Sequence, residues 1–173
     1  MSTQLAEPDA NTTQADIQGV DDSTTTQLVS FRLDKEEYGV DIMRVQEIIL
    51  MGQITKMPEV PEFVRGLINL RGSVIPIVDL RRRFDLPLAE NDEHTRIIVV
   101  NVGDKTIGMV VDAVNEVLRI TAEQIEAAPS SVGGIDHSYI TGLVKFEEKI
   151  LILLNIENIL SQEDQAKLTT PGS

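Results

Sequence analysis

The sequence predicts a mainly β protein built from two similar small units packed together, with a helix near the C-terminus. Three observations lead there. Only 3% of residues are aromatic and Trp is absent, while 42% are hydrophobic, so Val, Ile and Leu must fill the core. Branched side chains of that kind pack well on a pleated surface and favour strands. Short apolar runs alternate with turn signals along most of the chain, the pattern of a strand-rich fold. Finally, part of the chain matches another part at a fixed offset, the mark of an internal duplication. A length of 173 residues suits one core, or two small cores sharing an interface.

Taken in order, residues 1–26 are rich in Ser, Thr, Gln, Asn, Asp and Ala, carry Glu7, Asp9, Asp16, Asp21 and Asp22, and contain no Lys or Arg. Such a segment cannot bury enough apolar surface to offset its ordering entropy, and a disordered acidic tail is expected. Leu28 to Leu33 then alternates as a strand, with Val29, Phe31 and Leu33 on one face. Asp34 to Glu37 reads as a turn and Tyr38 to Ile42 as a second strand. Between Ile42 and Ile49 a helical turn and a strand fit equally well. Pro58 and Pro61 bracket a loop. Gly66 to Leu70, Arg71-Gly72-Ser73 and Val74 to Leu80 read as strand, tight turn and strand, with Pro76 at an edge or bulge position because it has no N–H for a ladder. Asn155 to Leu168 is the one stretch that reads as helix, and the last dozen residues read as its end and a tail.

The duplication has two parts. At an offset of 69, Leu28 to Ile48 falls on Ile97 to Val117 without a gap, with Gly39 on Gly108, Val45 on Val114 and Glu47 on Glu116. At an offset of 76, Phe63 to Leu67 falls on Tyr139 to Leu143, and Val74 to Leu80 on Ile150 to Ile156. Two units of about 65 residues, each too small to be comfortable alone, would share an apolar face, and short strands bent by Gly close into small barrels that leave no exposed edge.

Composition also excludes function classes. With 28 Asp+Glu against 15 Lys+Arg the net charge is −13, which disfavours nucleic acid and anionic lipid as partners. The longest apolar run is about five residues, so no direct membrane insertion is expected. The absence of Cys removes disulfides, thiolate metal sites and cysteine nucleophiles, and the N-terminus lacks a secretory pattern; a cytoplasmic protein is expected. His94 and His137 stand apart from other ligand-type residues and read as loop residues, no phosphate loop or nucleophile elbow occurs, and neither a metal nor another cofactor is expected. The sequence points away from an enzyme and toward a binding surface.

That surface is sought where the two copies disagree. Arg71 aligns with Glu147 and Gly72 with Glu148, and the first copy gathers Arg65, Arg71, Arg81, Arg82 and Arg83. The triplet at 81–83 reads as a solvated helical or turn surface. Arg71, on a hairpin tip, can hold a carboxylate with its guanidinium fork, and Glu47 is a candidate partner. Such a pair can pin the loop, touch a partner, or do both.

The stretches Tyr38 to Ile48 (YGVDIMRVQEI) and Pro61 to Leu80 (PEFVRGLINLRGSVIPIVDL) strongly resemble the CheW family, the coupling proteins of bacterial chemotaxis. Gly108 to Val117, Tyr139 to Leu143 and Ile150 to Ile156 match as well, and the similarity runs from about Gln27 to Leu160. The resemblance implies two five-stranded SH3-like barrels, no catalysis, and a scaffold that joins the cytoplasmic tips of chemoreceptors to the regulatory domain of the CheA histidine kinase in signal transduction. It also implies strand exchange, with barrels of about 27–72 plus 148–160 and 73–147 inside a domain of 27–161. Partner-binding roles fall on Val45, Glu47, Ile48 and Arg71, and structural turn roles on Gly66 and Gly72. A paralogous coupling protein of a non-chemotactic, pilus or surface-motility pathway is the alternative.

Overall fold

The computed structural model describes residues 25–132 and 135–160. Strands dominate them: β1 (Thr25–Leu33), β2 (Glu36–Asp41), β3 (Val45–Leu50), β4 (Val64–Leu70), β5 (Ser73–Asp79), β6 (Arg96–Val102), β7 (Lys105–Val111), β8 (Ala113–Thr121), β9 (Ile125–Glu126), β10 (Ser131–Val132), β11 (Ile135–Asp136), β12 (Ile140–Phe146) and β13 (Lys149–Leu154). A single turn of α-helix, α1 (Leu80–Arg83), follows β5. The first large sheet has the order β9-β12-β13-β2-β1-β8, the second β4-β5-β7-β6-β3, and β10 pairs with β11 alone.

The duplication is written into this order. Replace each strand of the second sheet by its mate at offset 69 or 76 and the sequence β12-β13-β2-β1-β8 of the first sheet appears. Each sheet therefore takes one hairpin from the other copy: β6 and β7 of the second copy sit among β3, β4 and β5 of the first, and β1 and β2 of the first copy sit among β8, β12 and β13 of the second. The exchange is closed by parallel pairs, Leu153 opposite Gly39 in one sheet and Ile77 opposite Gly108 in the other. The paired glycines make room for it. A Cβ on Gly108 would stand 2.7 Å from both Ile77 Cδ1 and Ile97 Cγ2, and one on Gly39 would stand 3.0 Å from Leu151 Cδ2.

Burial follows the period of two that strands impose. Val29, Phe31 and Leu33 of β1, Tyr38 and Val40 of β2, Ile98 and Val100 of β6, and Ile107 and Met109 of β7 all enter one central cluster between the sheets. Neighbouring positions turn the other way: Leu28, Ile120, Leu151 and Leu153 form a cluster on the far face of the first sheet, and Ile75, Ile77, Ile97 and Val99 one on the far face of the second. Fully burying one such aliphatic side chain contributes about 1.5–3 kcal/mol, so the three clusters hold the fold without Trp. Phe31, Tyr38, Phe84 and Tyr139 run through the central cluster with successive ring centroids 5.7, 6.4 and 5.2 Å apart.

Several expectations need correction. Thr25 and Thr26, assigned to the tail, pair with Thr121 and Ile120 in the first sheet; residues 1–24 lie outside the described residues. The ambiguous stretch after Ile42 is both things in turn, a 3-10 turn at Ile42–Arg44 and then β3. The helix expected at Asn155–Leu168 is, in its described part, a 3-10 turn at Ile156–Asn158, and residues 161–173 lie outside the described residues. The division into 27–72 plus 148–160 and 73–147 does not match the sheets. β3 and β4 join β5 in the second sheet, and β8, β9 and β12 join β13 in the first. The reason is the hairpin: β4 is bonded along its length to β5, so β5 cannot move to the other unit without it.

Candidate binding site at the edge of the second sheet

Glu47 lies on β3, an edge strand bonded only to β6, beside a bulge between Val45 and Glu47. Arg71 lies at the tip of the β4–β5 hairpin, whose last register pair, Leu70 with Ser73, leaves Arg71 and Gly72 as a two-residue loop. Both loop residues have positive φ, 52° and 89°, as a type I′ turn requires. Gly72 suits that position, and its amide is held by Asn69 Oδ1 at 2.9 Å. The turn projects the Arg71 guanidinium across to the opposite edge of the sheet. There Nη1 donates to Glu47 Oε1 at 3.2 Å and Nη2 donates to Oε2, a two-pronged pair. Glu47 is about 25% exposed and Arg71 67%. The hydrogen bond to Glu47, and then its charge, raises the Arg71 pKa above the ordinary guanidinium value.

The other expected residues are placed differently. Val45 is half-buried and packs on the central cluster. Ile48 is exposed and points to the opposite side of β3 from Glu47. Gly66 is not in a turn; it sits inside β4 at a bulge, with φ of 148°, where Thr55 crosses so close that a Cβ would lie 2.1 Å from its carbonyl oxygen.

The arginine triplet is less solvated than its composition suggests. Arg81 grips Asp112 through Nε at 3.0 Å and Nη2 at 2.5 Å, with Asp34 3.5 Å away. Arg83 donates to the Ile159 carbonyl at 2.6 Å and lies 4.3 Å above the Phe63 ring, the repeat mate of Tyr139, whose ring is 5.1 Å away. Arg82 is half-exposed, 3.6 Å from Glu62. Asp79 is buried and accepts from Arg65 Nε and from the amides of Arg81 and Arg82, which caps α1.

His94 and His137 are exposed, and no group of three or more His, Cys, Asp or Glu residues that could hold a metal occurs among the described residues. No helix among them is long and apolar enough to cross a membrane. The arrangement at Glu47 and Arg71 offers a surface a directional charged pair.

The CheW-like domain model matches residues 27–164. The chain belongs to the CheW-like family. A chemotaxis protein CheW from Klebsiella aerogenes is 46% identical over 136 residues, covering 79% of this chain and 82% of that protein. The CheW of Treponema pallidum is 36% identical over 146 residues, 82% of this chain and 86% of that one. Among solved structures, the scaffolding protein TtCheW of Thermoanaerobacter tengcongensis superposes with a TM-score of 0.75 at 37% identity, covering 80% of this chain and 90% of that one.

Sequence reading missed part of this surface. Met43, Leu50 and Val74 are exposed apolar side chains close in sequence to Glu47 or Arg71. The repeat held a signal for two pairs, since exposed Val74 aligns with exposed Ile150 and exposed Ile48 with exposed Val117. Apolar residues kept outward in both copies are not there for either core. Also missed was the ion pair between Arg44 and Glu157, 113 positions apart, which no local pattern announces.

Proposed function

We propose that this chain is a non-catalytic cytoplasmic scaffold that couples chemoreceptors to a CheA-type histidine kinase. The observation that carries the reading is the Glu47–Arg71 pair, on an edge strand that also exposes Ile48 and Leu50 and with Val74 exposed three places after Arg71, in a chain of the CheW-like family. Edge strands with outward apolar groups beside a two-pronged charged pair favour a protein partner, since an exposed Arg and neighbouring aliphatic groups combine directional and apolar contact.

Each sheet is inferred to close as an SH3-like barrel. Two features support this: both faces of each sheet carry buried apolar clusters, and the tip of the β4–β5 hairpin at one edge of the second sheet reaches β3 at the other. In this reading the edge carrying Val45, Glu47, Ile48 and Arg71 meets the kinase regulatory domain. A helical hairpin from a receptor tip lays an apolar stripe between the two barrels. The scaffold raises the effective concentration of one partner at the other, and transmits a signal only if its contacts differ between signalling states. Nucleic acid and membrane insertion have no part in it.

The test is amide-shift mapping of the labelled protein with the kinase regulatory domain and a receptor-tip fragment in turn. Perturbations centred on Val45–Leu50 and Arg71–Val74 with the kinase domain are expected. A footprint that avoids both segments would contradict the assignment, and no binding of either partner would contradict the function.

A further inference from the structure

The chain passes between the two sheets at two equivalent points, β2 to β3 at the turn Ile42–Arg44 and β7 to β8 at Asp112. Each crossing carries an ion pair to a residue two or three places after β5 or β13, the second strand of each sheet's other hairpin. At the second crossing this is Arg81 with Asp112. At the first it is Glu157 with Arg44. Glu157 is the offset-76 mate of Arg81, and Arg44 stands one place beyond the offset-69 mate of Asp112, so the two pairs occupy like positions with reversed polarity. They differ in burial. Arg81 and Asp112 are 14% and 17% exposed and are tied further to Asp34, whose amide donates to Asp112 Oδ2 at 2.8 Å. Arg44 and Glu157 are 44% and 42% exposed.

Arg44 immediately precedes Val45. Its turn is otherwise fixed by Asp41 Oδ1 accepting from the Met43 amide and by the Val45 amide donating to the Ile42 carbonyl, and β3, which starts there, is bonded to one neighbour only. We propose that Glu157 is a positioning residue for the coupling edge: through Arg44 it sets where β3 leaves its turn, and so where Val45, Glu47 and Ile48 stand. This rests on the proposed function for its consequence but not for its geometry. The loose crossing lies on the side that carries the binding edge, and the tight crossing on the side that does not. An exposed pair contributes little to global stability, so its removal separates position from folding.

The experiment compares Glu157→Gln, Arg44→Gln and the exchanged protein Arg44→Glu/Glu157→Arg with the unaltered chain. In the free protein, either single change is expected to shift the amide resonances of Val45–Ile48 while leaving those of Val144 and Leu151 in place. Affinity for the kinase regulatory domain should fall about two- to fivefold, with the melting temperature moved by no more than about 3 °C, and the exchanged pair should recover both readouts. Unchanged β3 amides in both single variants would overturn the proposal. So would an exchanged protein as weak as the singles, which would make the two side chains direct partner contacts. Arg71→Glu is run alongside: if it binds normally, the binding-edge assignment fails, while the β3 amide shifts still decide the role of Glu157.

Discussion

The same strand positions end in different charge chemistry in the two sheets. At the second sheet, Glu47 on β3 faces Arg71 on the β4–β5 turn. At the first, the mates are Glu116 on β8 and Glu147 on the β12–β13 turn, two acids, with Lys149 turned instead to Glu37 at 3.4 Å. The two-residue loop and its first backbone angle are retained at both, since Arg71 and Glu147 each open it at positive φ, 52° and 57°, while the second position has positive φ at Gly72 and not at Glu148. Apolar exposure is retained too, Ile48 and Val74 at one end and Val117 and Ile150 at the other. Duplication thus preserved the frame and left the charge free to differ. A binding residue in such a protein is one the frame does not need.

The sharpest way to break the comparison is through glycines that serve the frame. Gly66→Ala places a methyl 2.1 Å from the Thr55 carbonyl at a φ of 148°, and should cost about 3 kcal/mol or more in a urea melt, or prevent folding. Its mate Gly142 meets the Glu126 carbonyl at 2.8 Å without positive φ, so Gly142→Ala should cost about 1–3 kcal/mol. Equal costs would show that the two units have different tolerances from those their geometry implies.

Binding comes next. Arg71→Glu makes the second sheet's end resemble the first, and should lower affinity for the kinase regulatory domain about tenfold or more, by titration calorimetry, with an unchanged circular dichroism spectrum. Glu147→Arg, which would give the first end its own Glu–Arg pair, should leave that affinity within about twofold. A loss as large as that of Arg71→Glu would place the two ends on an equal footing.

A smaller effect sharpens the comparison inside the core. Tyr38 and its mate Ile107 are both fully buried, but the Tyr38 hydroxyl has no hydrogen-bond partner among the described residues. Burial, then the charges of Glu36 and Asp34, raise its pKa well above the usual tyrosine range. Tyr38→Phe removes an unsatisfied polar group and should stabilise the fold by about 1 kcal/mol, read from the denaturation midpoint. Destabilisation would reveal a partner for the hydroxyl.

The smallest expected effect is acid sensitivity at two turns. Backbone amides of His94 and Ser138 hold the Asp92 and Asp136 carboxylates below the usual value of 3.8. Because the folded pKa is depressed, their contribution is complete above about pH 4 and is lost as pH falls through the lower, folded value. Asp92→Asn and Asp136→Asn should therefore be slightly less stable than the unaltered chain at pH 6 and indistinguishable from it at acid pH.

Much of the frame was legible because it repeats. The offsets of 69 and 76 align β1, β2 and β3 with β6, β7 and β8, and β4 and β5 with β12 and β13, and the period-two pattern of Val29, Phe31 and Leu33 marked the buried face. Glu47 was legible as a candidate partner of Arg71 because the copies differ at Arg71 and because a guanidinium on a hairpin tip can hold a carboxylate. What local pattern could not reveal was set by tertiary position. Asn155 to Ile159 has helical spacing, yet Ile156 and Ile159 are held in the central cluster by the end of β13, and the described part makes only a 3-10 turn. Arg81 reads as a surface residue until Asp112 and Asp34 arrive from the other sheet. Strand exchange followed from which hairpin carries β4, and no run of residues encodes that alone.

The most direct measurement is a charge-reversal cycle at the proposed binding edge: affinity for the kinase regulatory domain of Glu47→Arg, Arg71→Glu and the double reversal. Each single reversal is expected to weaken binding while the fold persists, and the double reversal to recover part of the loss because the pair re-forms with opposite polarity. Unaltered affinity in both single variants would contradict the assignment of this edge as the binding surface.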